Sequence, residues 1–394
     1  MPGTVTHSAP GKLFIAGEYA VLEPGQPAIV IAVDRYVTVE ASTPETGDVV
    51  LATDLLTREV HLQRTRTGLR PTDPADIEHL TGALAHLVSV VETVDRLRAE
   101  LALAPLPVRL TVRSTLHETG VKIGLGSSGA VTVATVAALA DFYTLSLTPE
   151  LRFRLAMLAG IRVDAGASGG DLAASTWGGW LSYQAPDRTL LLHSLKREGV
   201  LGTLYATWPG LAVRGLRPPT TLALHIGWCG KPASTSAHIV RLNRTGLRST
   251  PSFGRFLEAS HSCVTTAIHA LQDDSPDTLL SAVHKARTLL AGLDADTQLG
   301  IFTSRLNDLC AAAQACGGAG KPSGAGGGDC GIAFLPHTVP AHTLHTRWQT
   351  AGITPLALQA TATVHPSAES ASLAGPDPAP GPGSVRLLDQ GRSR

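Results

Sequence analysis

Two glycine-rich runs give this chain its best chances of bringing bare backbone against a charged ligand. They are Gly124-Leu125-Gly126-Ser127-Ser128-Gly129 and the stretch GGAGKPSGAGGGDCG over residues 317–331. Residues 126–142 contain no Pro and are rich in Ala and Val, so the first run reads as a turn entering a buried helix. Successive N–H groups at a helix N-terminus, with glycine permitting close approach, suit a phosphate chain. Ser127 and Ser128 add hydroxyls, one for a phosphate oxygen and the other for Mg²⁺, with Ser128 the expected metal ligand. The other reading of the same residues is a glycine turn capped by serine.

The run also fits the dinucleotide pattern G-x-G-x-x-G, but the residues before it, LHETGV, do not form the buried strand that pattern requires. In the second run, Gly320-Lys321 suggests a Walker A loop. It fails because Ala315 replaces the earlier glycine and Pro322 follows the lysine. Its glycine density implies close approach either to a ligand or between packed lobes. A third candidate is GWCGKPAST, where a strand runs into a helix: Lys231 with Ser234, Thr235 and Ser236 forms an anion site or a simple N-cap beside a solvated lysine.

These loops need elements to hold them. Leu13–Gly17 is a short apolar run, and residues 28–42 read as two abutting strands, AIVIAVD and YVTVEAS. Residues 76–103 carry helical spacing through Leu80, Leu84, Leu87, Val91 and Val94, then a strand follows over 107–113. Helical patches recur at 149–160, 168–175 and 234–245, with the strand TLALHIGW before the last. Residues 252–316 read as helical with breaks near Pro276 and Gly292, and Ile332–Leu335 as a strand. After about residue 365 the chain is too rich in Pro and too poor in apolar residues to fold, and is expected to be a disordered tail dispensable for catalysis.

A chain of 394 residues exceeds what one core usually supports, so two lobes are expected. Lys+Arg and Asp+Glu are equal at 32 each, which leaves no overall field to attract nucleic acid or a membrane. The five cysteines include no C-x-x-C pair, and the fifteen histidines no zinc spacing, so free thiols and no protein-bound transition metal are expected. The N-terminus lacks the pattern of a secretory signal and no apolar stretch is long enough to span a bilayer, which points to a cytoplasmic protein.

Four segments, APGKLFIAGEYAVL, GLGSSGAVTVATVAAL, SGGDLAAS and SGAGGGDCGIAF, together resemble the GHMP kinases, a superfamily named for galactokinase, homoserine kinase, mevalonate kinase and phosphomevalonate kinase. The resemblance covers residues 8–362, and GEYAVLEPGQPAI, KIGLGSSG and GWCGKPAST are most similar to the phosphomevalonate kinase branch. It implies an α+β fold of two lobes, a ribosomal-protein-like N-terminal lobe over 1–215 and a ferredoxin-like lobe over 216–364, with the site between them. It further implies ATP on GLGSSG (Gly124 to Gly129), Mg²⁺ as cofactor, and a phosphorylated small-molecule acceptor, phosphomevalonate. The family's catalytic lysine falls on Lys12 and its catalytic aspartate on Asp171. Ala167 departs from the family's usual glycine, and the tail after 365 has no counterpart.

The acceptor pocket is expected to use Ser168 beside Asp171, and Lys122 and Lys231 to offset repulsion between two polyanions. Glu18 and Tyr19 either line that pocket or pair internally. Ser323, with Gly324 and Ala325, is expected against a phosphate, whereas Asp329 is expected to support its loop. An alcohol acceptor such as mevalonate, or a silent ligand-binding relative, are the competing readings.

Overall fold

The computed structural model describes residues 3–118, 121–231 and 235–364. The tail expected after 365 lies outside these residues.

The N-terminal part is built on an eight-stranded sheet. Its strands are β1 (Val5–Ala16), β2 (Pro27–Ser42), β3 (Val49–Thr53), β4 (Val60–Thr65), β5 (Gly68–Pro71), β6 (Val108–Ser114), and, after a short hairpin of β7 (His117–Glu118) with β8 (Val121–Lys122), β9 (Trp180–Gln184) and β10 (Ala212–Leu216). The order is β10-β9-β2-β6-β3-β4-β5, with β1 paired to β2. Among the described residues only β3 and β6 pair in parallel in this sheet.

The two strands expected over 28–42 are one strand. Pairing with β1 continues along it, and a register shift between Pro10 and Gly11 takes up the change opposite Val33 to Tyr36. A bulge bends a strand without ending it. The first half of β2 pairs with β9 and the second with β6, so the bend lets one strand serve two neighbours.

The helices of this part are α1 (Ile77–Thr81), α2 (Ala85–Glu100), α3 (Ser127–Phe142), α4 (Pro149–Val163), α5 (Gly170–Trp177) and α6 (Arg188–Tyr205). The helical stretch expected from 76 is broken after Thr81, at Gly82. Leu84, Leu87, Val91 and Val94 are buried, as their spacing demands. Helix α3 is apolar nearly all round and packs on β1 and β2 while touching α2, α4 and α5, so it is the central post of the lobe.

The second sheet contains β11 (Leu222–Trp228), β12 (Ala319–Pro322), β13 (Cys330–Pro336) and β14 (Thr354–Leu356), in the order β12-β13-β11-β14 and antiparallel throughout. Counted within this sheet the order is 2-3-1-4. With helices between the first and second strands and between the third and fourth, it is the ferredoxin-like arrangement. Those helices are α7 (Thr235–Arg244), α8 (Pro251–Gln272), α9 (Pro276–Thr297), α10 (Ser304–Ala315) and α11 (Ala341–Thr350). Gly292 does not break α9, because one interior glycine costs a helix only about 1 kcal/mol against alanine, and this 22-residue helix packs on α8 and β12. No helix among the described residues is long and apolar enough to cross a membrane.

After β14 the chain returns to the first sheet. Asp34 N–H donates to Gln359 O (3.0 Å), Thr361 N–H to Ala32 O (3.0 Å), and Val364 N–H to Trp177 O (2.7 Å). Gln359 N–H donates to Asp34 Oδ1 (2.8 Å) and Gly179 N–H to Thr361 Oγ1 (3.0 Å). A chain ending at Leu356 loses all of these bonds, each contributing ~1 kcal/mol net. Thermal melting is expected to show that chain clearly destabilised, whereas one ending at Val364 melts with the full protein.

Candidate active site

Strand β1 and the first glycine loop meet at Lys12. Its N–H donates to Leu125 O (2.7 Å), which ties the strand to the turn that opens α3. Its stem crosses Gly126, where a Cβ would lie 2.8 Å from Lys12 Cγ, and Gly126 takes φ 76° as the residue ahead of the helix. Glycine is required there twice, for the left-handed backbone and for the crossing side chain. The ammonium donates to Gly124 O (3.2 Å) and lies 5.7 Å from the centre of the Phe14 ring.

Asp171 stands in the first turn of α5, after Gly169 at φ 78°. It faces α3, since a Cβ on Gly129 would lie 2.6 Å from Asp171 Cγ. Asp171 Oδ1 accepts from Leu172 N–H (3.0 Å). Ser168 Oγ accepts from Gly170 N–H (3.3 Å), and buried Tyr183 Oη donates to Ser168 O (2.6 Å), so this turn is held from beneath. Burial raises the Tyr183 phenol far above its ordinary value, which keeps it a donor. Ala167, at the family's glycine position, donates its N–H to Asp164 O (3.1 Å).

The second glycine loop arrives from β12. A Cβ on Gly324 would lie 3.6 Å from Lys12 Nζ, so this loop and the first converge on one ammonium. Gly124, at φ 72°, packs directly on the carboxylate of Asp329, which is 7% exposed and lies under both loops. Lys231 N–H donates to Gly328 O (3.1 Å), and Lys122 sits in the β7–β8 hairpin just ahead of Gly124. Both lysine side chains are exposed, as is Ser128, while Ser127 is half-buried. Ser234 lies outside the described residues.

The contact expected of Ser323 is corrected, and Glu18 and Tyr19 take the internal pairing of their two readings. The Ser323 hydroxyl donates to Phe14 O (3.0 Å) and accepts from Phe14 N–H (2.9 Å), and the residue is 5% exposed, so its proton is unavailable to a phosphate. Glu18 faces no opening large enough for an acceptor; it is 4% exposed and paired with Lys321, whose ammonium also donates to Pro322 O (2.7 Å). Tyr19 is buried, and its Oη donates to Ala325 O (2.7 Å), leaving that carbonyl engaged. Burial, then Asp294 and Glu18, raise the Tyr19 phenol, with Arg241 opposing.

Tyr19 has φ 62° and ψ −45°, and Ala20 N–H donates to Glu18 O (2.7 Å). This is a γ-turn of the rare strained hand, which costs ~1–3 kcal/mol at a non-glycine residue.

His86 was not singled out from sequence, and no spacing could have marked it. It lies in the first turn of α2 with Nδ1 3.2 Å from Thr132 Oγ1. Thr132 gives its own proton to Ser128 O (2.7 Å), so Oγ1 accepts and His86 Nδ1 carries the hydrogen. Burial lowers the imidazole pKa, Lys122 adds to this, and Asp171 and Asp164 oppose it. A neutral imidazole therefore backs α3.

The family models for the GHMP kinases N terminal domain and the GHMP kinases C terminal match residues 87–179 and 267–354. A phosphomevalonate kinase from a Streptomyces species is 51% identical over 361 residues, covering 90% of this chain and 96% of that protein. A mevalonate kinase of Thermococcus sibiricus is 29% identical over 343 residues, covering 84% and 89%. The solved Streptococcus pneumoniae phosphomevalonate kinase in complex with phosphomevalonate and AMPPNP matches with a TM-score of 0.78 at 27% identity, covering 91% of this chain and 100% of that one. The chain belongs to the GHMP kinase family.

The contact between α3 and α5 allows no side chain at 129. Gly129→Ala is expected to push Asp171 from its place and lower kcat/KM about a hundredfold, the scale on which small misplacements act. Steady-state kinetics beside a melting curve checks this, with the melting temperature also expected to fall, because the new Cβ would lie 2.8 Å from Asp171 Cβ and rotating the carboxylate away does not relieve that contact.

Proposed function

We propose that this protein transfers the γ-phosphoryl group of ATP to the phosphate of (R)-5-phosphomevalonate, giving ADP and 5-diphosphomevalonate in the mevalonate route to isoprenoids. The carrying observation is the convergence of two glycine loops on Lys12 Nζ with Asp171 across α3, in a chain 51% identical to a phosphomevalonate kinase. A cytoplasmic site of action fits this substrate class. The division into an ATP-binding lobe over 1–215 and a second lobe over 216–364 belongs to the same reading.

Gly124 to Gly129 would cradle the ATP phosphates at the start of α3, where free N–H groups and the helix dipole favour anions. The Ser128 hydroxyl, exposed at that helix start, fits one position of a Mg²⁺ whose other ligands are phosphate oxygens and water. When bound, the ion neutralises charge on the phosphates. Lys12 would hold the transferring group, a role supported by its ammonium reaching Gly124 O at the mouth of the loop. A group that stabilises developing charge in this way contributes ~10²–10³ in rate.

The acceptor oxygen belongs to a phosphate monoester with a second pKa of about 6, so it is ionised at neutral pH and needs no strong base. Asp171 then orients the acceptor and Lys12, with Ser168 on the same turn, and Gly324 and Ala325 close the acceptor side. The exposed ammonium groups of Lys122 and Lys231 offset the repulsion between donor and acceptor.

The test is ADP release with phosphomevalonate, mevalonate, homoserine and galactose in parallel. Turnover is expected with phosphomevalonate alone. Lys12→Ala should lose at least ~10²-fold, and Asp171→Asn should fall by less than the ~10²–10⁴ that losing a general base costs. Turnover with mevalonate alone would reassign the acceptor, and none with any substrate would point to a silent binding protein.

A further inference from the structure

The residues that follow Lys12 are joined to those that precede and form the second glycine loop by three side-chain links. Phe14 backbone pairs with Ser323 Oγ in both directions, Glu18 pairs with Lys321, and Tyr19 Oη donates to Ala325 O. Each joins the end of β1 or the turn after it to residues 321–325, and Gly324 lies between two of the anchored positions. We propose that Lys321, through Glu18 and the strained turn at Tyr19, is a positioning residue that sets the height of the 323–328 loop over Lys12 and so tunes the site for its acceptor.

Neither member of the pair can reach substrate. Lys321 is 0% exposed and Glu18 4%. The opening beside Glu18, bounded by Gly17, Ser260, Cys263 and Val264, has a volume of about 10 Å³. That is the size of one water molecule and too small for any part of a phosphorylated acid.

A buried ion pair is a poor source of net stability, because desolvation offsets the attraction, but losing one partner strands a charge in the interior. What such a pair does well is fix one geometry. Strain at a non-glycine residue persists only where its surroundings over-determine it, and Tyr19 is held by its own hydroxyl, by the Glu18 anchor and by burial. The same few residues carry strain, a buried charge pair and a bond to the loop nearest Lys12. Their common effect falls on where Gly324 and Ala325 stand.

This rests on the proposed phosphomevalonate reaction, and its test uses a substrate-free readout beside a kinetic one. Lys321→Met, Glu18→Gln, the double variant and Tyr19→Phe are each melted and assayed with ATP and phosphomevalonate. Lys321→Met is expected to lower the melting temperature most and raise KM for phosphomevalonate about tenfold or more with KM for ATP little changed, the split that marks lost acceptor placement. The double variant should recover most of the melting temperature, since no charge is stranded, but keep much of the raised KM, since the pair that fixes the loop is gone, and Tyr19→Phe should raise the same KM by a smaller factor.

If the double variant melts like the parent and its KM for phosphomevalonate also returns to the parent value, the pair does not set the loop and the clamp is wrong. Normal KM values in the well-folded Tyr19→Phe and double variants, with Lys321→Met also normal, would reduce the pair to packing and overturn the proposal. A parent without turnover on phosphomevalonate strikes the reaction instead. The melting cycle then decides the clamp, which falls if the two substitutions are simply additive.

Discussion

Strand β1 cannot move without carrying the glycine turn that opens α3, because Lys12 N–H is bonded to Leu125 O while the same residue's ammonium reaches Gly124 O. The strand is itself fixed along β2, with its two irregularities on either side of Lys12, between Pro10 and Gly11 and between Phe14 and Ala16. Backbone and side chain of one residue are therefore both committed to the loop. Everything else near the site is arranged around that junction: α3 leaves from it, α5 packs on α3 through Gly129, and the second loop closes down on it from the other sheet.

That arrangement explains the glycines better than flexibility does. Gly126 clears the Lys12 stem, Gly129 clears Asp171, and Gly124 clears Asp329. In each case a missing Cβ lets one charged side chain lie directly against the backbone of the loop or helix. Such close approach is what a site handling two phosphorylated molecules requires, because the protein's contribution to phosphoryl transfer is mainly placement and charge.

The start of α3 was legible because a glycine turn followed by serines and an unbroken Ala/Val run has few other solutions, and the ferredoxin-like order of the second sheet followed from the family resemblance. Local signals misled where distant partners decide. The junction at Asp34 to Tyr36 looked like a break between strands until β1 was seen to pair across it. Glu18, Tyr19 and Ser323 carry ligand-like side chains, and only the packing of residues 14–19 against 321–325 shows that each is already bonded. Lys321 was visible only as part of a failed Walker pattern. His86 depends on α2 meeting α3, a contact that no spacing within either helix encodes.

The central claim is that a phosphate, not an alcohol, accepts the phosphoryl group. Phosphorus NMR of the protein with ATP, Mg²⁺ and phosphomevalonate tests it at the bond that forms. The account predicts two new mutually coupled resonances from a diphosphate ester, growing as ADP appears. Loss of ATP with only uncoupled monoester signals, or with inorganic phosphate alone, would contradict it.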